Sequence, residues 1–192
     1  TCGRVSFVLG LQGPCASYDT ACSASLVANH SSTRALQRFE CDAALSAGVN
    51  MILEAGTMAG NAVAGFTSVR GRSHTFDVRA DGYARGEAVD AIACRLSQED
   101  VVVGMLGSAV RQDGRSASLT APNGQAQQAL LRAALGDAAT APDALALGEA
   151  HGTGTALGDP IEAGSLVGAV LSAREAALAV GGVKANIGHA EP

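Results

Sequence analysis

The chain has 192 residues, 47% hydrophobic and 16% charged, with 24 glycines and a mean hydropathy of +0.20, a composition suited to a substantial core. Its formal charge of -5 supplies no overall basic field for nucleic acid. The longest apolar runs, such as Val101 to Leu106 and Ala176 to Val180, fall well short of the roughly 20 residues that cross a bilayer, so neither nucleic acid nor a membrane is an expected partner.

In chain order, Ser6 to Leu11 and Cys15 to Thr20 are short strand candidates separated by Gln12-Gly13-Pro14. A helix is expected from Ser23 to about Phe39, because Ala28, Ser32, Ala35, Leu36 and Phe39 recur on one helical face. Ala43 to Met51 reads as a strand interrupted by glycine, and Glu54 to Glu87 as a long irregular segment of functional or interfacial use. Ala88 to Leu96 and Val101 to Val110 read as buried strands. The link between them, Ser97 to Asp100, is the expected boundary between a first half, 1–96, and a second, 97–192. Gln112 to Gly124 is turn-rich, and Gln125 to Leu135 reads as a helix burying Ala126, Ala129, Leu130, Ala133 and Ala134. Two further strands, Ala144 to Glu149 and Leu178 to Val183, flank a helix starting at Asp159-Pro160-Ile161-Glu162. There Asp is expected at the N-cap, Pro at the first helical position and Glu at the third. Alternating strands and helices predict an α/β fold with a largely parallel sheet.

The residues that carry chemistry lie at three places. Cys22 sits where an extended segment gives way to small residues and then a helix, so its thiol is expected at an exposed turn facing unpaired backbone N–H groups, a setting that favours thiolate. His151, in Glu149-Ala150-His151-Gly152-Thr153-Gly154-Thr155, follows one strand. His189, in Lys184-Ala185-Asn186-Ile187-Gly188-His189, follows another, an arrangement compatible with one pocket. The remaining cysteines, Cys2, Cys15, Cys41 and Cys94, show no metal-ligand spacing and read as small buried hydrophobes in a reducing compartment. His30 and His74 read as structural, and Asp159 and Glu162 are accounted for by the helix start alone.

Taken in order, Asp19-Thr20-Ala21-Cys22-Ser23, Glu40-Cys41-Asp42 with Ala47 to Asn50, Ala80 to Glu87, Gln112 to Ser116, Leu119 to Gly124, His151 to Thr155, Gly158 to Ala163 and Lys184 to His189 form a series. The series resembles the β-ketoacyl synthase (ketosynthase) domain of type I polyketide and fatty acid synthases, through almost the whole chain. The resemblance implies a thiolase-like αβαβα sandwich and a homodimer. It also implies decarboxylative condensation: an acyl chain carried on Cys22 is attacked by the carbanion from a malonyl-type extender. Both substrates would be carried on the phosphopantetheine of an acyl carrier protein, with no cofactor or metal bound directly.

By the same resemblance His151 and His189 are the catalytic imidazoles, Lys184, Asp159 and Glu162 support them, and Thr153, Thr155 and Asn186 contact the pantetheine arm. Ala24 departs from the pattern where many members carry a third small hydroxyl residue, and Tyr18 where a β-branched residue is commoner. Cys22, in place of the glutamine of decarboxylating variants, favours condensation. The alternative is a non-elongating, carrier-binding relative; a cysteine hydrolase is a weaker third reading. The sequence, starting at Thr1 and stopping soon after a histidine motif, reads as an internal piece of a cytoplasmic polypeptide, expected to be inactive alone.

Overall fold

The computed structural model describes residues 2–97 and 101–192, so most of the expected 97–100 link lies outside the described residues. The chain divides into two compact units: residues 1–51, 87–104 and 190–192, and residues 52–86 and 105–189.

The first unit contains helix α1 (Cys2–Leu9), helix α2 (Ala24–Gln37) and strands β1 (Ala43–Asn50) and β2 (Ala88–Arg95). The strands pair antiparallel from Ala43 opposite Arg95 to Asn50 opposite Ala88. Helix α2 packs on this ribbon and buries Leu36. Gly48 has a packing reason for lacking a side chain, since a Cβ there would fall 2.1 Å from Ser25 Oγ of α2. Phe39, expected on the buried face of α2, is 84% exposed; α2 has already ended, and Phe39 takes a left-handed φ of 57° in the reversal.

Two strand expectations fail here. Ser6 to Leu11 falls largely within α1. Its C-terminus closes through hydrogen bonds from Gly10 N to Phe7 O and from Leu11 N to Ser6 O, with Gly10 at φ 65°. This is a Schellman ending, for which glycine is the usual residue. Cys15 to Thr20 is not assigned as a strand.

The second unit begins with helix α3 (Ala55–Val63), which lies inside the stretch expected to be irregular. The remaining loop to Gly86 carries an isolated bridge between Thr67 and Tyr83. No strand forms over 101–110, because among the described residues no strand pairs with it. Part of this segment abuts the end of α4 instead: Ser108 N donates to Asp137 Oδ2 at 2.9 Å.

Helix α4 (Gly124–Asp137) is capped by Asn123, whose Oδ1 accepts from Gln125 N at 3.1 Å and Ala126 N at 3.2 Å. Such a cap contributes about 1 kcal/mol. The expected burial of α4 is incomplete, with Ala129 exposed and Ala126, Leu130, Ala133 and Ala134 half-buried. Helix α4 packs on helix α5 (Gly158–Ala169), where Ser165 Oγ donates to Gly124 O and Arg132 Nη2 donates to Gly168 O at 2.7 Å. Strands β3 (Leu147–Glu149) and β4 (Ala179–Gly181) pair in parallel and lead to the two histidine segments. Helix α6 (Lys184–Ile187) follows β4. Thus the expected parallel pairing holds for β3 and β4, whereas β1 and β2 run antiparallel.

Candidate active site

In the first unit, Cys22 lies in a single 3-10 turn, Ala21–Ser23, immediately before α2. Ala21 has φ 52°, a left-handed conformation that costs a residue with a Cβ about 1 to 2 kcal/mol. The turn is tied by Ser23, whose Oγ donates at 2.9 Å to the carbonyl oxygen of Thr20. Cys22 is exposed on this turn, ahead of the N-terminal end of a 14-residue helix. The expected feeding strand does not form, since residues 14–20 carry no strand assignment.

In the second unit, the two histidines come together. Their ring centroids are 5.6 Å apart at an interplanar angle of 86°, an edge contact. Tyr83 makes a similar edge contact with His189 at 5.1 Å. His189 is 3% exposed, and its backbone is threaded into the 84–86 segment: His189 N donates to Ala84 O at 2.7 Å, and Gly86 N donates to His189 O at 2.8 Å. Gly86 and Gly188 permit this crossing, since a Cβ on Gly86 would lie 2.9 Å from Ile187 O, and Gly188 sits at φ 78°.

The N-terminal part of α5 holds the His151 loop. Glu162 accepts from His151 N at 2.6 Å through Oε1 and from Gly152 N at 2.8 Å through Oε2. Asp159, 3% exposed, accepts from Gly154 N at 3.0 Å and Thr155 N at 3.2 Å through Oδ1, and from Phe76 N at 2.8 Å through Oδ2. The expected N-cap is therefore displaced. Helix α5 starts at Gly158, Asp159 lies inside its first turn, and the carboxylate reaches the loop amides instead of the helix's own. Positive φ angles at Gly152 and Gly154, 49° and 81°, let these amides converge.

Thr153 is buried, its Oγ1 lies 3.3 Å from Thr155 Oγ1, and Thr155 Oγ1 accepts from Gly158 N at 3.1 Å. Asn186 is exposed on α6, and Lys184 is half-buried at the start of that helix. The His151 pKa lies below the usual histidine value, chiefly because atoms crowded around the ring remove water, and secondarily because Lys184 is positively charged. Glu162 and Asp159 oppose the shift without reversing it. The residue keeps an exposed edge, so the loss of water around the ring is partial.

Sequence reasoning missed Thr75. Its hydroxyl donates to Gly152 O, and its methyl fills the space that a Cβ on Gly152 or Gly182 would need, at 2.5 and 2.6 Å. The available signal was the length of the 54–87 loop, which brings residues 73–86 against both histidine segments.

Two family descriptions cover nearly the whole chain: "Beta-ketoacyl synthase, N-terminal domain" matches residues 1–98 and "Beta-ketoacyl synthase, C-terminal domain" matches residues 103–192. The chain belongs to the β-ketoacyl synthase family. This ketosynthase chain is 44% identical to a phenolphthiocerol/phthiocerol polyketide synthase polypeptide of Mycobacterium tuberculosis, over 98% of its own length and 10% of that protein's. It is 45% identical to a second phenolphthiocerol/phthiocerol polyketide synthase polypeptide, from Mycobacterium bovis, over 100% of its length and 13% of that protein's.

Among solved structures, an oxazolomycin ketosynthase domain from Streptomyces albus matches at a TM-score of 0.94 and 36% identity, over 99% of this chain and 34% of that one. The ketosynthase from module 6 of the bacillaene synthase of Bacillus subtilis matches at 0.94 and 34% identity, over 99% and 35%. The fold is accordingly α/β and thiolase-like. The ketosynthase chain spans about a tenth of the length of the curated relatives and about a third of the solved ones.

Proposed function

We propose that this ketosynthase chain supplies residues for a decarboxylative Claisen condensation in polyketide biosynthesis. The observation that carries the reading is the edge contact of His151 and His189, within a chain matched by both ketosynthase family descriptions. An acyl group passes from a carrier phosphopantetheine thioester to the Cys22 sulfur, releasing the carrier thiol. A malonyl-type thioester then loses CO2, and the electron pair of the broken C–C bond becomes a carbanion whose charge spreads to the thioester oxygen. That carbanion attacks the Cys22 thioester carbonyl, forming a C–C bond and releasing the Cys22 thiolate.

Decarboxylation calls for fixed hydrogen-bond donors to the developing oxyanion. Two imidazoles suit that need, and loss of one such donor costs about 3 to 4 kcal/mol. The lowered His151 pKa favours a neutral ring. Glu162 and Asp159 position the His151 loop through backbone amides, and Lys184 acts on it through its charge. By the family resemblance Thr153, Thr155 and Asn186 are assigned to the pantetheine arm; the Thr155 hydroxyl also accepts from Gly158 N at the start of α5. The partner is an acyl carrier protein domain, the assembly a homodimer and the setting cytoplasmic, with the 192-residue chain inactive by itself.

The test uses the parent polypeptide with malonyl carrier protein and an acyl primer. Wild type should yield CO2 and a β-ketoacyl product. Cys22→Ala should abolish acylation and product, and His189→Ala should reduce decarboxylation by roughly 10²- to 10³-fold. Absence of CO2 and β-ketoacyl product, with a thiol that resists acylation, would refute the reading. Release of free acid would assign hydrolysis instead.

A further inference from the structure

The four cysteines outside the nucleophile turn read as buried hydrophobes, but Cys15 is exposed and Cys2 is half-buried. Both belong to the first unit. Cys2 and Ser6 stand four residues apart on α1 and therefore share a helix face. Cys15 and Ser17 lie two residues apart in the segment between α1 and the Cys22 turn. The two pairs meet crosswise: Ser17 Oγ donates to Cys2 Sγ at 3.1 Å, and Ser6 Oγ donates to Cys15 Sγ at 3.4 Å. These two crosswise hydrogen bonds gather the two thiols and two hydroxyls into one cluster.

We propose that Cys2 and Cys15 form a thiol–disulfide exchange site, separate in its chemistry from Cys22, that reacts with low-molecular-weight disulfides such as glutathione disulfide. The order of attack follows from the cluster. The Cys2 thiol pKa is lowered, chiefly by the hydrogen bond from Ser17 and secondarily by the Cys15 thiol, and a thiolate is the attacking species. The Cys2 thiolate attacks one sulfur of glutathione disulfide, giving a Cys2–glutathione mixed disulfide and one glutathione thiolate. The Cys15 thiolate then attacks the Cys2 sulfur, breaking its bond to glutathione and releasing the second thiolate. Two protein thiols are oxidised, one glutathione disulfide is reduced to two glutathiones, and the two thiol protons pass to the released thiolates.

The full chain, reduced and freed of reductant, is incubated with glutathione disulfide near pH 7.5, alkylated, digested and mapped without reduction. Cleavage after Arg4 separates Cys2 from Cys15, and cleavage after Tyr18 separates Cys15 from Cys22. A Cys2–Cys15 linked peptide is expected, with Cys2 consumed about tenfold faster than Cys41 or Cys94. Cys15→Ser should stop at the Cys2–glutathione adduct. The wild-type map needs no variant to fold and is decisive alone. Absence of a Cys2–Cys15 peptide, or Cys2 consumption no faster than that of Cys41 and Cys94, overturns the proposal.

Discussion

Asp159 offers a quantitative test of how the His151 loop is held. Its two oxygens accept three backbone N–H groups: Oδ1 serves Gly154 and Thr155, and Oδ2 serves Phe76. Hydrogen bonds to a charged acceptor contribute about 1.5 to 3 kcal/mol each. Three bonds sharing one buried carboxylate are coupled and fall short of their simple sum. We therefore expect Asp159→Ala to destabilise the loop by about 3 to 5 kcal/mol. Asp159→Asn should cost less, because its single carbonyl oxygen can still serve Gly154 and Thr155 while its NH2 faces the Phe76 donor. Losing that one bond corresponds to about 1.5 to 3 kcal/mol.

Because the chain has two compact units, amide hydrogen exchange at Phe76, Gly154 and Thr155 is a more direct measure than global unfolding. Protection should fall roughly 10²- to 10⁴-fold in the alanine variant and roughly 10- to 10²-fold in the asparagine variant. Equal losses in the two variants, or an alanine cost below about 1 kcal/mol, would show that the three amides do not depend on the carboxylate.

Gly154→Ala should destabilise the second unit by about 2 to 4 kcal/mol in urea titration, combining a left-handed φ of 81° with a Cβ placed 2.7 Å from His74 N. Gly10→Ala is its control, with a similar φ of 65° but nothing within 4 Å, and should cost only about 1 kcal/mol. The His151 shift sets a pH dependence. Its folded pKa lies below the unfolded value of 6.5, so its contribution to stability is present above about pH 6.5 and is lost as pH falls through the lower folded pKa. Urea midpoints between pH 8 and pH 5 should therefore decline more steeply for wild type than for His151→Asn. A wild-type midpoint that rises on acidification relative to the variant would contradict the sign.

Periodicity made the longer elements legible. Helices α2 and α4 occur close to their expected places because each repeats its side-chain pattern over 14 residues, and strands β1 and β2 do so from their largely apolar eight-residue runs. The run Ser6 to Leu11 suggested a strand, but it falls largely within helix α1. Its bulky residues carry β propensity, whereas Gly10 gave the more informative signal of a helix end. Helix α3 was obscured by Gly56 and Gly60, and Val101 to Val110 misled because apolarity does not by itself provide a partner strand. At the site, the motifs picked out His151 and His189, and their meeting within one unit is a finding of the structure. The actual targets of Asp159 and Glu162 were hidden, because backbone amides have no signature in a sequence.

The α5 carboxylates grip the His151 loop through main-chain N–H groups. The path of that loop is thus encoded in a helix several residues downstream, with the Thr155 hydroxyl adding a contact to the start of that helix, rather than in the side chain displayed at 151. Such a division of labour makes position 151 an interchangeable display point: a new recognition or proton-handling group can be tried there while the helix supplies an unchanged frame.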